Sequence, residues 1–403
     1  MGATPRARRP KGTGSETKLS NGRWQAQREI SPNPVTGKRR RIRAQGATRS
    51  EARRNLEAKL EKLAAQGSIP SGKAPQLRAY MDRWLDTIAT RVKPRVLETY
   101  RAECNALASA IGGMRLDAIT PAIVENTMID LSVGRSSKTI LNYWTRLKQI
   151  LTTATRDGLI DSNPVLMTDP PRVEPAPTII LTAGQPAQAI DAVKTSEPTR
   201  LLTNDDERDM WALIFTLAFE TGMRQAERFA LTPAELVTKN GVHGIQVEWE
   251  LQRLNGTPQI PSWLTARQID THHWLLPPKS HQGERFVPLG TETWLALQHR
   301  ARTHHIKRNS LIFTTPDGKP LSGAMERRRW KLALADAGLP YVTMRSARHF
   351  FSTALAQSGA ADDARTAMMG HAKITTTAGY THWEPETLAA LAERARAAVG
   401  SRL

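Results

Sequence analysis

Two stretches, one rich in glycine, serine and proline and one rich in proline alone, divide this 403-residue chain into three parts. The first covers residues 67–74, and the second covers residues 163–177, where proline recurs at five positions. Such composition favours extended connectors over packed elements. At roughly 100–200 residues per domain, a chain of this length exceeds one ordinary core. We therefore expect a multidomain α+β protein in which each part folds around its own core.

Positive charge is concentrated in the first part. The whole chain has 57 Lys and Arg against 38 Asp and Glu, a formal net charge of +19. Up to residue 66 the same counts are 17 and 5, so this sixth of the chain has most of the excess. A strongly basic balance favours a polyanionic partner, foremost nucleic acid.

The first part is predicted to contain a disordered tail and a small three-stranded sheet with one helix. Residues 1–20 are too polar to bury a core, so disorder is expected there. Within residues 21–66, strand-like segments at 22–27 and 39–43 flank a turn, and a helix capped by Ser50 follows. A basic two-stranded ribbon fits the DNA major groove; a solvated hairpin without a specific target is the alternative. The predicted DNA contacts are Arg39, Arg40, Arg41 and Arg43.

The middle part, residues 75–165, is predicted to be a compact helical bundle. Apolar residues recur at i, i+3, i+4 and i+7, which is the spacing of one buried helix face. Thr120 followed by Pro121 is typical of a helix N-terminus. The buried faces comprise Leu77, Tyr80, Met81, Trp84, Leu85 and Ile88 in one helix and Ile140, Tyr143, Trp144, Leu147, Ile150 and Leu151 in another.

Basic side chains are expected on the polar faces of this bundle. They either contact DNA phosphates or are simply solvated, and the sequence leaves both readings open. The residues concerned are Arg91, Lys93, Arg95, Arg135, Lys138, Arg146 and Lys148.

The third part, residues 178–403, is predicted to be mainly helical with a small antiparallel sheet. Strand-like segments occur near residues 245–249, 274–276 and 285–289, between two helical regions. The final helical segment has Leu388, Leu391 and Ala395 at helical spacing. It packs either on its own chain or on a neighbouring protomer, and the sequence does not decide between these.

Cysteine usage and hydropathy limit the cellular setting. The single cysteine, Cys104, cannot form an internal disulfide and is expected to be a buried apolar residue. No Cys/His cluster has metal-ligand spacing, and no run of about 18 apolar residues occurs. We expect a cytoplasmic, DNA-associated protein without a structural metal, a cofactor or a membrane span.

Four short motifs follow one another in the third part. They are Glu220-Thr221-Gly222-Met223-Arg224-Gln225-Ala226-Glu227, Pro278-Lys279-Ser280 with the strand-like segment at 285–289, Arg345-Ser346-Ala347-Arg348-His349, and residues 369–382 with His371 and Tyr380. In this order they resemble the T-G-x-R-x-x-E box, the lysine hairpin, the H-x-x-R-H box and the L-G-H-x-x-I-x-T-T-x-x-Y-x-H ending of the tyrosine recombinase (phage integrase) family.

Phosphoryl transfer independently requires these residue types. Attack on a phosphodiester builds negative charge on its non-bridging oxygens, so positioning and electrostatic stabilisation dominate catalysis. The planar guanidinium of arginine donates two parallel hydrogen bonds to phosphate and stays charged. Arg224 and Arg348 are therefore predicted to be phosphate clamps. Cationic donors around Tyr380 would favour its phenolate form and make it a nucleophile.

The resemblance implies the remaining roles. Tyr380 would become linked to a DNA 3′ phosphate, Lys279 would give a proton to the departing 5′ oxygen, and His371 would donate to the phosphate. Glu227, His349 and His382 would support the site rather than react. The intermediate conserves the phosphodiester energy, so neither ATP nor a metal is implied.

One position departs from the family pattern. Arg345 stands where the family usually has histidine, and an arginine cannot accept a proton near neutral pH. It can instead serve as another phosphate donor. Two alternative functions remain open: a decayed relative that only binds DNA, and a type IB topoisomerase that uses the same tyrosine chemistry.

The resemblance also implies an architecture and partners. Residues 21–66 would be an arm-type DNA-binding domain, 75–165 a helical core-binding domain of SAM-like fold, and 178–403 the catalytic domain. The expected partners are double-stranded DNA attachment sites, three further copies in a synaptic homotetramer, a host DNA-bending protein and an excision-directing factor. The implied activity is integration of a phage or mobile element into a bacterial chromosome through a Holliday junction.

Overall fold

The computed structural model describes residues 14–30, 40–65, 74–174, 179–195, 202, 204–370 and 383–398. The chain divides into two compact units, Met1–Pro175 and Ala176–Leu403. Within the first unit, a small sheet with one helix and a helical bundle have separate apolar cores. The second unit is mainly helical, as predicted, so the expectation of a multidomain α+β chain is confirmed. No helix among the described residues combines the length and apolarity needed to cross a membrane.

The N-terminal sheet is antiparallel, with its strands in the order β1-β2-β3. Its elements are β1 (Ser15–Lys18), β2 (Trp24–Ile30), β3 (Arg40–Gly46) and the covering helix α1 (Arg49–Ala65). Ala26 and Ile30 of β2 pack against Leu56 and Leu60 of α1 because alternate strand residues point to one face. The helix thus covers one face of the sheet and leaves the other to solvent.

Two sequence expectations for this region are wrong. Disorder was expected over residues 1–20, but residues 15–18 form β1, and residues 1–13 lie outside the described part of the chain. Backbone pairing with β2 holds β1 in place, and its side chains are largely exposed, so no apolar pattern marks it. The helix cap is Thr48 rather than Ser50, because the Thr48 hydroxyl accepts the Glu51 N–H at 3.1 Å.

The helical bundle confirms the predicted apolar faces. It comprises α2 (Leu77–Ala89), α3 (Pro94–Ile111), α4 (Pro121–Ser132) and α5 (Ser137–Arg156). Every residue of the two predicted faces is buried or partly buried in its core. The Thr120 side chain accepts the Ile123 N–H, so the predicted cap of α4 is also confirmed. Cys104 is buried in the same core, as expected.

Arg146 is not on a polar face of the bundle, contrary to expectation. Its side chain is buried, and its Nε donates to Glu103 Oε2 at 2.7 Å. Its guanidinium lies 3.1 Å from the centroid of the Tyr100 ring. This cation–π contact offsets part of the free-energy cost of burying an arginine. Arg146 therefore stabilises the bundle core and is not positioned to contact a DNA phosphate.

The described residues of the second unit form eight α-helices, and several of them pack around one buried helix. The helices are α6 (Gln185–Thr195), α7 (Asp205–Thr221), α8 (Gln225–Phe229), α9 (Thr291–Thr303), α10 (Gly323–Asp336), α11 (Ser346–Gln357), α12 (Asp362–Met369) and α13 (Pro385–Ala398). Most of α7 is buried, because apolar residues occur on several of its faces. The Trp330 ring of α10 packs edge-on against Phe215 of α7, with centroids 5.0 Å apart.

The unit has two small antiparallel sheets where one was expected. Its strands are β4 (Leu236–Lys239), β5 (Val242–Val247), β6 (Glu250–Arg253), β7 (Arg267–Gln268), β8 (His273–Leu276) and β9 (Arg285–Pro288). One sheet has the order β4-β5-β9, and the other has the order β6-β8-β7. The second sheet is thus inserted between the paired strands β5 and β9, and it has its own cluster of Leu254, Leu264 and Leu276.

The last helix packs on its own chain. Leu388, Leu391 and Ala395 of α13 are buried in a cluster with Phe351 and Leu355 of α11. Of the two arrangements that the sequence left open, the structure has the packing in cis.

Helix α9 allows a matched test of this core. Leu297 is fully buried, whereas Leu295 of the same helix is 53% exposed. We expect Leu297→Ala to lower the free energy of unfolding by about 2–5 kcal/mol, because it leaves a cavity. Leu295→Ala should change it by less than about 0.5 kcal/mol. Urea denaturation followed by tryptophan fluorescence measures both, and equal losses would contradict the burial of Leu297.

Candidate active site

The site is built where α7 ends and the chain turns into α8. Gly222 ends α7 with φ of +60°, a left-handed conformation that favours glycine. A Cβ there would also lie 2.9 Å from the Met369 Sδ and the Phe351 Cδ1, so no side chain fits. This turn brings Arg224 to the N-terminal end of α8.

Glu227 holds Arg224 in two ways. The Glu227 Oε2 accepts the Arg224 backbone N–H at 2.8 Å, and the Oε1 accepts from the Arg224 Nη1 at 2.6 Å. The Glu227 side chain is fully buried, while 34% of the Arg224 side chain is exposed. The carboxylate therefore lies beneath the arginine and orients it outward.

A second arginine shares this carboxylate, and sequence reasoning did not identify it. Arg285 at the start of β9 donates from Nη1 to Glu227 Oε1 at 3.1 Å and from Nη2 to Glu227 Oε2 at 2.9 Å. It lies in the strand-like segment 285–289 that the sequence predicts. The sequence signal for it is a charged residue at the start of a strand whose following residues are apolar.

Arg348 reaches the same place from α11. Its Nη1 donates to the Gly222 carbonyl at 2.8 Å, and its Nη2 donates to the Met369 carbonyl. Arg224 donates from Nη2 to the Gly370 carbonyl at 3.0 Å. Three arginines from distant parts of the sequence thus converge around one buried carboxylate.

The pKa values reflect this excess of positive charge. Burial by itself would raise the pKa of Glu227, but the charges and hydrogen bonds of Arg285 and Arg224 outweigh it and lower the pKa to about 2. Burial, followed by the charges of Arg224 and Arg285, lowers the pKa of Arg348 to about 9. A bound anion would relieve this repulsion, so the site is suited to a phosphate.

An open cleft of about 530 Å³ lies over these residues. Arg224, Arg345 and Arg348 line it together with Met223 and Met344. Arg345 is exposed at the N-terminal end of α11, where a helix favours anions. The structure therefore brings three of the predicted site residues together, with Glu227 directly below.

Other predicted site residues have different positions. Lys279 is exposed in the loop between β8 and β9 and is not among the residues lining the cleft. His349 is exposed on α11. His371, Tyr380 and His382 lie outside the described residues. Among those described, no cluster of His, Cys, Asp and Glu is arranged to hold a metal.

Comparison with known proteins agrees with this geometry. Residues 191–387 match the model of the phage integrase family. This match identifies residues 191–387 as a phage integrase family region. A "Tyrosine recombinase XerC-like" protein of Caldanaerobacter subterraneus is 24% identical to it over 326 residues, which are 76% of this chain and 79% of the relative.

Among the solved structures that share the fold of this chain are two DNA-bound integrases. The integrase of transposon Tn1549, in complex with transposon right end DNA, has a TM-score of 0.60 and 23% identity, covering 79% of this chain and 99% of its own. The lambda integrase tetramer bound to a Holliday junction has a TM-score of 0.54 and 18% identity, covering 91% of this chain and 97% of its own. The match to lambda integrase thus extends beyond the catalytic unit.

The predicted DNA-contacting residues are mostly on the surface of the first unit. Arg41 and Arg43 are exposed on β3, and Arg91 and Lys138 are exposed in the bundle. Lys93 is partly buried, and exposed Arg95 forms an ion pair with Glu98 at 2.8 Å. Arg40 begins β3, and Arg39 lies outside the described residues.

The pKa of Glu227 predicts a specific pH dependence of stability. An unfolded glutamate has a pKa of about 4.3, above the folded value of about 2. Its ion pairs therefore contribute fully above pH 4.3 and are lost as the pH falls towards 2. We expect Glu227→Gln to be less stable than wild type at pH 6, with a difference that shrinks by pH 3. Chemical denaturation at both pH values measures it.

Glu393→Gln is the matched control, because Glu393 is exposed on α13 in the same unit. Its stability relative to wild type should hardly change with pH. A Glu227→Gln difference that stays constant from pH 6 to pH 3 would show that Glu227 is not a low-pKa ion-pair partner.

Proposed function

We propose that this chain is a site-specific DNA recombinase that cuts and rejoins strands through a covalent bond to Tyr380. The observation that carries the proposal is the cleft lined by Arg224, Arg345 and Arg348, whose charge exceeds that of the Glu227 carboxylate beneath it. Arg228 and Glu326 also line the cleft, and they form an ion pair with each other at 2.6 Å. Such a site binds an anion of the size of a phosphodiester, and the family's chemistry then requires a tyrosine nucleophile.

In the proposed reaction, the Tyr380 hydroxyl gives its proton to water, and its oxygen attacks the phosphorus of the scissile phosphate. The bond from phosphorus to the 5′ oxygen breaks, Lys279 gives that oxygen a proton, and a 3′-phosphotyrosyl bond forms. His371 donates to the phosphate. The 5′ hydroxyl of another strand reverses these steps and releases Tyr380. One phosphodiester is exchanged for another, so the energy of the bond is retained and no ATP is consumed.

Arginines stabilise the charge that develops during this attack. Arg224 and Arg348 are partly buried, so their hydrogen bonds to phosphate oxygens would form in a medium of low dielectric constant and be stronger than in water. Arg345 would add a donor from the N-terminal end of α11. Glu227 remains ionised with a pKa of about 2 and therefore acts as a support and not as a proton donor.

The biological setting follows by similarity. The Tn1549 integrase forms a complex with transposon right end DNA, and lambda integrase is bound as a tetramer to a Holliday junction. We propose that this chain likewise moves a mobile element in a bacterial host by acting as a homotetramer on attachment sites. A host DNA-bending protein and an excision-directing factor would assist it.

The exposed face of the N-terminal sheet is suited to an arm-type DNA site. Gln25 lies opposite Gln45, Gln27 opposite Arg43 and Glu29 opposite Arg41, so this face of β2 and β3 carries glutamine, arginine and one glutamate. This is the face away from α1. Glutamine pairs bidentately with adenine and arginine with guanine in the major groove. The proposed role of this sheet is therefore to bind a DNA site separate from the cleavage site.

Arg43 tests the role of this face. We expect Arg43→Ala to weaken binding to an arm-site duplex about tenfold, as loss of one arginine contact with a base or phosphate does. Arg54→Ala is the control, because Arg54 is exposed on α1 away from the sheet face. Fluorescence anisotropy at fixed salt measures both. Equal weakening by the two substitutions would indicate only a general effect of charge.

The tyrosine mechanism is tested by trapping the covalent complex on a nicked suicide duplex carrying the attachment site. Wild type should give a slowly migrating adduct on a denaturing gel without metal or ATP, whereas Tyr380→Phe should give none. Arg345→His should retain cleavage, because histidine is the residue usual in the family at that position. Absence of the wild-type adduct on DNA that the protein binds would favour an inactive DNA-binding relative. An adduct without strand exchange would favour a topoisomerase.

A further inference from the structure

We propose that Arg285 is a positioning residue for strand cleavage. It offsets the charge of Glu227 and anchors the end of α12, so that the cleft keeps its net positive charge and Arg224 and Arg348 stay aimed at the scissile phosphate. This inference rests on the proposed function, and it concerns a residue outside the four motif roles assigned above.

The contacts of Arg285 exclude a direct role on the substrate. Its side chain is only 5% exposed. Besides the two bonds to Glu227, its Nε donates to the Met368 carbonyl at 2.8 Å and its Nη1 donates to the Gly283 carbonyl at 2.9 Å. A guanidinium has five N–H donors, and these contacts use four of them. Arg285 therefore acts through its neighbours.

Arg285 sets the charge that the cleft presents. Glu227 is fully buried, and its negative charge is divided between Arg285 and Arg224. With three arginines and one carboxylate, the cluster has two net positive charges. Without Arg285, Glu227 would be offset by Arg224 alone, and the cluster would present one net positive charge to the attacked phosphate instead of two. Arg285 thus frees Arg224 for the substrate.

Arg285 also belongs to a row of contacts at the C-terminal end of α12. Three consecutive carbonyls, those of Met368, Met369 and Gly370, accept from Arg285, Arg348 and Arg224 respectively. The carbonyls at a helix C-terminus carry partial negative charge and lack helical partners, so they bind cations. The two clamp arginines and Arg285 are therefore fixed to one helix end.

The backbone at this helix end packs too closely against its neighbours for a residue larger than glycine. Gly370 has φ of +62°, and a Cβ there would lie 2.9 Å from the Gln282 carbonyl oxygen and 3.0 Å from the Arg285 Nη1. The loop that holds Lys279 ends at Gly283, whose carbonyl Arg285 also binds. Arg285 thus ties the lysine loop, the carboxylate and the last turn before His371 to one another.

The test compares single-turnover cleavage rates, dissociation constants for the attachment site and melting temperatures of full-length variants. We expect Arg285→Met to cut DNA about 100-fold more slowly than wild type, as small misplacements of catalytic groups do. Its dissociation constant should stay within about threefold, because Arg285 does not contact DNA. Arg285→Lys should recover about tenfold in rate, since an ammonium restores the charge but not the fork of hydrogen bonds.

Arg329→Met is the matched control. Arg329 is similarly buried and pairs with Glu207 at 3.2 Å, in contact with neither Glu227 nor the end of α12. It should lower the melting temperature and leave the cleavage rate of the folded protein unchanged. Equal rate losses for Arg285→Met and Arg329→Met would overturn the proposal, as would wild-type cleavage by a folded Arg285→Met protein.

A double variant covers the case in which Arg285→Met does not fold. Arg285→Met combined with Glu227→Gln removes both charges, so no uncompensated carboxylate stays buried. It should melt higher than Arg285→Met and cleave faster, because two positive charges remain over the cleft. A double variant that melts higher but cleaves no faster would overturn the charge-balancing role. The wild-type adduct in the same assay separates this outcome from failure of the proposed recombinase function.

Discussion

The site of the second unit depends on the ion pairs of one buried carboxylate, that of Glu227. An isolated buried charge is costly, so the fold must supply cations to it. Arg224 and Arg285 do so from α8 and β9, and their charges keep the carboxyl ionised despite its burial. Because two arginines share one carboxylate, neither is fully neutralised. The requirement to compensate one anion thus produces a site with surplus positive charge.

Close backbone approach is the second constraint, and glycine satisfies it. Gly222 and Gly370 both adopt left-handed conformations, and a Cβ at either would overlap neighbouring atoms. The end of α7 and the end of α12 therefore expose carbonyls at short range, which Arg348 bridges by donating to Gly222 and Met369. The motif glycines allow the close backbone approach, and the motif arginines bind the carbonyls that this approach brings together.

Features set by local periodicity could be predicted from the sequence, whereas those set by distant partners could not. The apolar faces of α2 and α5 and the Thr120 cap depend on neighbours within a few residues, so their pattern identifies them. Arg146 depends on Glu103, and strand β1 depends on its pairing with β2, so neither has a local signature. The motifs identified Arg224, Glu227 and Arg348, but Arg285 became recognisable only beside Glu227, 58 residues earlier.

The arginines of the second unit differ in purpose according to how their donors are used. Arg228 is fully buried against Glu326, and Arg285 donates four of its N–H groups to protein acceptors. Both arginines therefore act as internal supports. Arg224 is one-third exposed and lines the cleft. Burial and partner number, more than residue type or motif membership, therefore separate an arginine that builds the site from one that can bind phosphate. By this criterion Arg345, exposed on the same cleft, belongs with Arg224 although it departs from the family pattern.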